Sequence, residues 1–135
     1  MLRFELSALP ETASLSSATL TLNAPDHGSS YGYGVPRNFY AQPVIADWDE
    51  MTVTGATQPA VDETVISPAA WCGFEETAPC EIDVLDVLEY LRVNDNHGLR
   101  VRDDEQNQFT RSFGTSDHEE VTDRPSLLVT YTVPE

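Results

Sequence analysis

Apolar and polar residues alternate along most of the chain, starting at its first positions. Leu2, Phe4 and Leu6 alternate with three polar residues, which is typical of a half-buried β-strand. Similar alternation predicts further strands at residues 14–23, 38–45, 51–56, 63–67, 80–84, 98–102, 109–114 and 126–133. Pro43 interrupts one of these segments and predicts an edge strand or a bulge there.

One segment departs from this alternation. Residues 84–91, VLDVLEYL, place their apolar side chains at helical spacing and predict a short helix. Gly98 suits the left-handed turn that ends such a helix region. Many short strands with one helix predict an all-β fold, an antiparallel β-sandwich, and 135 residues suit a single domain covering residues 1–135.

The charge of the chain is strongly one-sided. Asp and Glu number 23 against seven basic residues, all of them arginine, which gives a formal net charge of −16. Such a charge repels nucleic acids and anionic membranes, and no apolar run is long enough to span a bilayer. A lysine-free acidic composition is similar to that of proteins from salt-loving microbes and their viruses, and equally to that of acidic proteins from marine bacteria.

The two cysteines lie close together in the sequence. Cys72 and Cys80 are expected to form a disulfide that closes a short loop, which implies an oxidising, extracellular environment; the alternative is two free thiols. Without neighbouring histidines they do not form a zinc site.

Four stretches in order along the chain resemble DNRLRE-type domains, which are grouped as carbohydrate-binding module family 96. The stretches are LRFELSALPETASLSSATLTL, DWDEMTVTGATQP, EIDVLDVLEYLRVNDNHGLRVR and RSFGTSDHEEVTDRPSLLVTYT. The resemblance implies a jelly-roll-like β-sandwich without catalytic activity, of a kind found in secreted and surface proteins. Some of these domains bind acidic polysaccharides.

The chain departs from this family pattern in two places. Gly55 stands where the family has a second tryptophan, and the one or two strands that relatives place before the first strand are missing from this sequence. We therefore expect another protein chain to cover the edge formed by Leu2, Phe4 and Leu6, because proteins avoid bare strand edges.

Catalytic and metal chemistry have weak signals in the sequence. Asp26, His27 and Ser29 are neighbours in a Gly/Ser-rich loop, which is not how catalytic triads are built, so no enzyme is predicted. Acidic clusters offer the hard oxygens that Ca²⁺ prefers, against the alternative of a solvated acidic surface. The calcium candidates are Asp47, Asp49, Glu50, Asp103 and Asp104.

Aromatic residues near an arginine form the predicted ligand site. Tyr31, Tyr33, Arg37 and Tyr40 fall in or beside a Gly/Ser-rich loop. Exposed rings stack on sugars and arginine pairs with carboxylates; the alternative is that the tyrosines pack on the sandwich. Trp48 and Trp71 are expected to be core or loop anchors.

Two functions are consistent with these features. The first is a surface structural or attachment subunit of a larger assembly, such as a virion decoration or fibre protein, located on a virion or outside the cell. The second is an extracellular module that binds polysaccharide. The sequence favours the first, since it begins at Met1 with no secretion leader.

Overall fold

The computed structural model describes residues 1–23, 37–54, 56–72, 79–103, 116–117 and 119–135, and for Arg37 the backbone alone. Within these ranges six strands and one α-helix are formed. They are β1 (Ser14–Leu22), β2 (Arg37–Pro43), β3 (Ala70–Cys72), β4 (Cys80–Asp83), α1 (Leu85–Val93), β5 (Leu99–Asp103) and β6 (Ser126–Thr132). A short 3-10 helix spans Val121–Asp123.

The strands form two antiparallel sheets that pack face to face, as the sequence predicts. The first sheet has the order β4–β1–β6 and the second the order β3–β2–β5. Ala18, Leu20 and Leu22 of β1 share one buried cluster with Phe39 and Ala41 of β2, so the core lies between the sheets. The apolar alternation therefore has the physical origin that the sequence suggests, one face toward the core and one toward water.

The helix α1 follows β4 and closes one end of this core. Val87, Leu88 and Leu91 are its buried residues, at the helical spacing seen in the sequence. A carboxylate oxygen of Asp83 accepts a hydrogen bond from the backbone N–H of Leu85 at 3.1 Å, which satisfies one free donor of the first turn.

The first residues of the chain do not form the predicted strand. Leu2 and Leu99 exchange two backbone hydrogen bonds of 2.9 and 2.7 Å, an isolated bridge beside β5. Beyond this bridge, the side-chain amide of Asn96 donates to the carbonyl of Phe4 at 2.8 Å. A side chain thus takes the place of the next backbone hydrogen bond that a strand pair would form. Leu2, Phe4 and Leu6 still pack against the core, and an additional protein partner at this edge stays a prediction.

Two other predicted strands, at 51–56 and 63–67, are turns in the described residues. Carboxylates of Asp49 and Asp62 accept backbone hydrogen bonds from Met51 and Thr64, which bends the chain where alternation predicted extension. Residues 109–114, predicted as another strand, lie outside the described residues.

Pro43 lies in the central strand of the second sheet, where the sequence predicted an edge or a bulge. It occupies the last position of β2. Its nitrogen points to the same side as that of Ala41, whose N–H binds the hydroxyl of Ser67 at 2.8 Å rather than a strand. No backbone N–H is needed at position 43 to pair with a neighbouring strand, so proline is tolerated.

The predicted disulfide is formed between Cys72 and Cys80, with Cα atoms 5.5 Å apart. It joins β3, an edge of the second sheet, to β4, an edge of the first. Among the described residues, no helix has the length and apolar character needed to cross a membrane.

Candidate functional site

The outer face of the second sheet gathers aromatic, amide and cationic side chains. Residues directly opposite each other on antiparallel strands share a face, and positions two apart on one strand share it as well. We call this surface the arginine–aromatic face. Its members are Asn38, Tyr40, Gln42, Trp71, Arg100 and Arg102.

Two aromatic rings lie in neighbouring rows of this face. Trp71 stands opposite Asn38 and is 54% exposed, so it does not lie in the core, whereas its role as a loop anchor stays a prediction. Tyr40 is half-buried one row further along β2. Diagonal neighbours of this kind have Cβ atoms about 7–8 Å apart. The two rings can therefore contact adjacent sugar units.

Arg102 stands opposite Tyr40 on β5 and is exposed. It makes no hydrogen bond or ion pair with any described residue. By contrast, Arg3 and Arg92 each bind at least one backbone carbonyl and a carboxylate. An exposed arginine without a carboxylate partner among the described residues offers a guanidinium donor to an anionic ligand.

Arg100 lies one row below Arg102 and is held by a buried amide. Its Nη2 donates to Oε1 of Gln42 at 3.1 Å, and Nε2 of Gln42 donates to a carboxylate oxygen of Glu63 at 3.2 Å. Gln42 is 1% exposed, so both ends of its amide are satisfied within the protein.

A second surface surrounds Trp48 at the opposite end of β2. Arg3 lies 4.9 Å from the centroid of the Trp48 ring, and its Nη2 binds the Trp48 carbonyl at 3.2 Å. The indole N–H of Trp48 donates to the carbonyl of His97. This tryptophan is therefore occupied on one face and anchors the first residues of the chain to the loop after β2.

An open groove of about 750 Å³ borders this tryptophan. Half of its described lining residues are acidic, namely Asp47, Asp49 and Glu50; the others are Arg3, Trp48 and Thr52. Nη2 of Arg3 lies 3.5 Å from a carboxylate oxygen of Asp47, so part of the charge of Asp47 is already compensated. Nδ1 of His97 lies 3.8 Å from the same oxygen.

The structure separates the residues predicted to bind calcium. Asp47, Asp49 and Glu50 follow the end of β2 next to Leu99, whereas Asp103 ends β5 opposite Phe39, at the other end of the strand pair. Asp104 lies outside the described residues. Within the described ranges no three Asp, Glu, His or Cys side chains form a group suited to a metal ion.

The predicted sugar-binding residues are only partly visible. Tyr31 and Tyr33 lie outside the described residues, and the side chain of Arg37 does as well. Tyr40 is the predicted residue that the structure places, and it stands on the arginine–aromatic face. Sequence reasoning missed Arg100, Arg102 and Trp71 as its neighbours, although the alternation in GLRVR puts both arginines on one side of a strand.

A turn next to this face fixes the position of Glu63. The hydroxyl and backbone N–H of Thr64 both donate to the carboxylate of Asp62, at 2.6 and 2.9 Å. These hydrogen bonds hold the pKa of Asp62 below its ordinary value.

The same carboxylate also acts on Tyr90 of α1. Desolvation and the charge of Asp62 raise the pKa of the Tyr90 hydroxyl.

Comparison with known protein families identifies a family that covers nearly the whole chain. The model of carbohydrate-binding module family 96 matches residues 1–131. No curated protein and no solved structure matches the chain.

Proposed function

The chain belongs to carbohydrate-binding module family 96, and on this premise we propose that it binds a polysaccharide through the arginine–aromatic face without cleaving it. The proposed site combines stacking by Trp71 and Tyr40 with charged hydrogen bonds from Arg102 and Arg100. Extended sugar chains need a long, shallow surface rather than a deep pocket, and one face of a three-stranded sheet supplies it.

The exposed guanidinium of Arg102, which has no partner among the described residues and stands opposite Tyr40, carries this proposal. The net charge of −16 opposes any anionic ligand over most of the molecule. An arginine pair on one strand, with aromatic rings in the neighbouring rows, offers a local exception. Carboxylated or sulfated sugars fit this combination, since arginine binds such groups in a bidentate manner.

The family match favours polysaccharide binding over the structural role in a larger assembly that the sequence analysis placed first. Such a role, on a virion or elsewhere, has no comparable support. The disulfide and the family together support an extracellular location for the module. The groove beside Trp48 is less suited to an acidic sugar because three carboxylates line it.

Affinity electrophoresis and calorimetry with a panel of neutral and acidic polysaccharides test the proposal. We expect the wild type to bind at least one polysaccharide. Trp71→Ala and Arg102→Gln should each weaken that binding about tenfold, which corresponds to one stacking or charged contact.

Matched controls lie away from this face. Leu128→Ala removes an exposed apolar side chain from β6 on the first sheet, and Arg3→Gln removes the same charge from the Trp48 groove. Both should bind like the wild type. Loss of binding in Arg3→Gln with full binding in Arg102→Gln would move the site to the groove.

A further inference from the structure

Gln42 is a buried polar residue at the centre of the second sheet. The described residues bury two polar side chains, Gln42 at 1% and Ser67 at 4% exposure. A buried amide is tolerated when both its oxygen and its nitrogen have partners. In Gln42 the oxygen faces a guanidinium donor and the nitrogen faces a carboxylate acceptor. If the amide were reversed, its NH₂ group would face the guanidinium donor and its oxygen would face the carboxylate acceptor. The neighbours therefore fix the observed orientation.

The amide of Gln42 also keeps Arg100 and Glu63 apart. The shortest connection between the two charges runs through Gln42, and no direct ion pair joins them in the described residues. A direct ion pair with Glu63 would compensate the charge of the Arg100 guanidinium and make it less available to a ligand. Through the amide, Arg100 is oriented and keeps its charge in the row next to Arg102.

Arg100 has little other support for this orientation. Nη2 is the one guanidinium nitrogen with a hydrogen-bond partner among the described residues, and Nε is buried without one. A buried donor without a partner is costly, so the side chain would turn away if Gln42 did not hold it. The position of the second cation of the face therefore depends on one amide.

We propose that Gln42 is a positioning residue that sets the preference of the arginine–aromatic face for acidic over neutral sugar chains. It does so by holding the Arg100 guanidinium in line with Arg102. The inference rests on the proposed function, because it assigns selectivity to the same face. It predicts that selectivity is lost without loss of stacking on Tyr40 and Trp71.

The measurement is the ratio of affinities for a polyuronate and for the same polymer after its carboxyl groups have been reduced to alcohols. Gln42→Met keeps the length of the side chain and removes both hydrogen bonds. We expect its affinity for the polyuronate to fall about tenfold, as in Arg100→Gln, with unchanged affinity for the reduced polymer. The double variant Gln42→Met/Arg100→Gln should bind the polyuronate no more weakly than either single variant, because the two residues act as one unit.

Ser67→Ala is the control for a general loss of stability. Ser67 is the other buried polar residue among those that the structure describes; its hydroxyl accepts from the N–H of Ala41 in β2 and makes no hydrogen bond with Arg100. Its affinity ratio should match the wild type. An unchanged ratio in Gln42→Met, or an equal change in Ser67→Ala, overturns the inference.

Two surface variants test the same point if Gln42→Met does not fold. Glu63→Gln and Glu63→Ala remove the same charge, but only the glutamine keeps an oxygen that accepts from Gln42. We expect Glu63→Gln to retain the preference for the polyuronate and Glu63→Ala to lose part of it, whereas identical ratios contradict the inference. Failure of the wild type to bind either polymer refutes the proposed function, and the inference with it.

Discussion

At the residue scale, Gly98 decides how the first residues dock. Its φ is +89°, in the left-handed region, and a Cβ atom there would lie 2.3 Å from the carbonyl oxygen of Leu2. Glycine is therefore required twice, for the turn before β5 and for the close approach of the Leu2–Leu99 bridge. The sequence predicted the turn but not the approach, because the second partner lies far away along the chain.

We expect Gly98→Ala to lower the free energy of unfolding by about 2–4 kcal/mol, measured by chemical denaturation. Gly98→Asn separates the two causes, since asparagine tolerates a positive φ but carries the same Cβ. It should be nearly as destabilised. Recovery of wild-type stability in Gly98→Asn would show that the contact with Leu2 is unimportant.

Asp62 predicts a pH effect at the same scale. Hydrogen bonds from Thr64 lower its pKa in the folded state from the ordinary 3.8. The charged carboxylate thus favours folding above the unfolded pKa, and this contribution disappears as the pH falls through the lower folded pKa. Asp62→Asn should lose less stability than the wild type between neutral pH and pH values below about 4. The control Asp95→Asn, at an exposed carboxylate, should follow the wild type; the same acid sensitivity in Asp62→Asn would contradict the assignment.

At the element scale, the sequence predicts strands well where alternation runs for several residues beside a buried partner. β1, β4, β5 and β6 and the helix α1 lie where the pattern places them. The segments at 51–56 and 63–67 have Thr and Val in similar order, but carboxylates of Asp49 and Asp62 capture their backbone N–H groups. Local competition of this kind is invisible to a periodicity rule.

The candidate site was less predictable for the same reason. Tyr40 could be chosen from its own neighbourhood, whereas Arg100 and Arg102 join it only because β5 pairs with β2 in a particular register. Register depends on the whole fold, and one sequence does not display it. Trp71 lies outside the core because its burial depends on which face of the short strand β3 meets the core, and the sequence does not show that face.

The disulfide between β3 and β4 is the covalent element that can be tested directly. Cys72 and Cys80 are eight positions apart, and closing a loop of that size stabilises the fold by about 2–3 kcal/mol in the chain-entropy model. Cys72→Ala/Cys80→Ala, or wild type in reductant, should unfold at correspondingly lower denaturant concentration. Alkylation of two thiols in native, unreduced protein would contradict the bond.

At the scale of the whole molecule, charge is the dominant feature. A net charge of −16 creates self-repulsion that salt screens, with a Debye length of about 3 Å at molar concentration. We expect the melting temperature to rise by several degrees, about 2–4 °C per kcal/mol for a domain near this size, from low to molar NaCl. An unchanged melting temperature would show that the repulsion is unimportant.

The same titration examines the calcium binding predicted from the sequence. CaCl₂ and NaCl at equal ionic strength screen the charges similarly, so a larger rise in CaCl₂ at millimolar concentration would indicate a specific site. Asp49→Asn and Asp103→Asn distinguish the two acidic clusters, which stand at opposite ends of the β2–β5 pair.

Because of the bond between Cys72 and Cys80, the two sheets are connected differently on the two long sides of the sandwich. On the β3–β4 side a covalent link fixes the separation of the sheets. On the β5–β6 side, Leu2, Phe4 and Leu6 pack against the core, and Leu2 is hydrogen-bonded to Leu99, so this side is held without a covalent link in the described residues. The disulfide thus acts as a hinge on one side of the sandwich, and the first residues of the chain close the other side. We therefore expect the two sheets to separate first on the β5–β6 side, while the disulfide holds them together on the β3–β4 side.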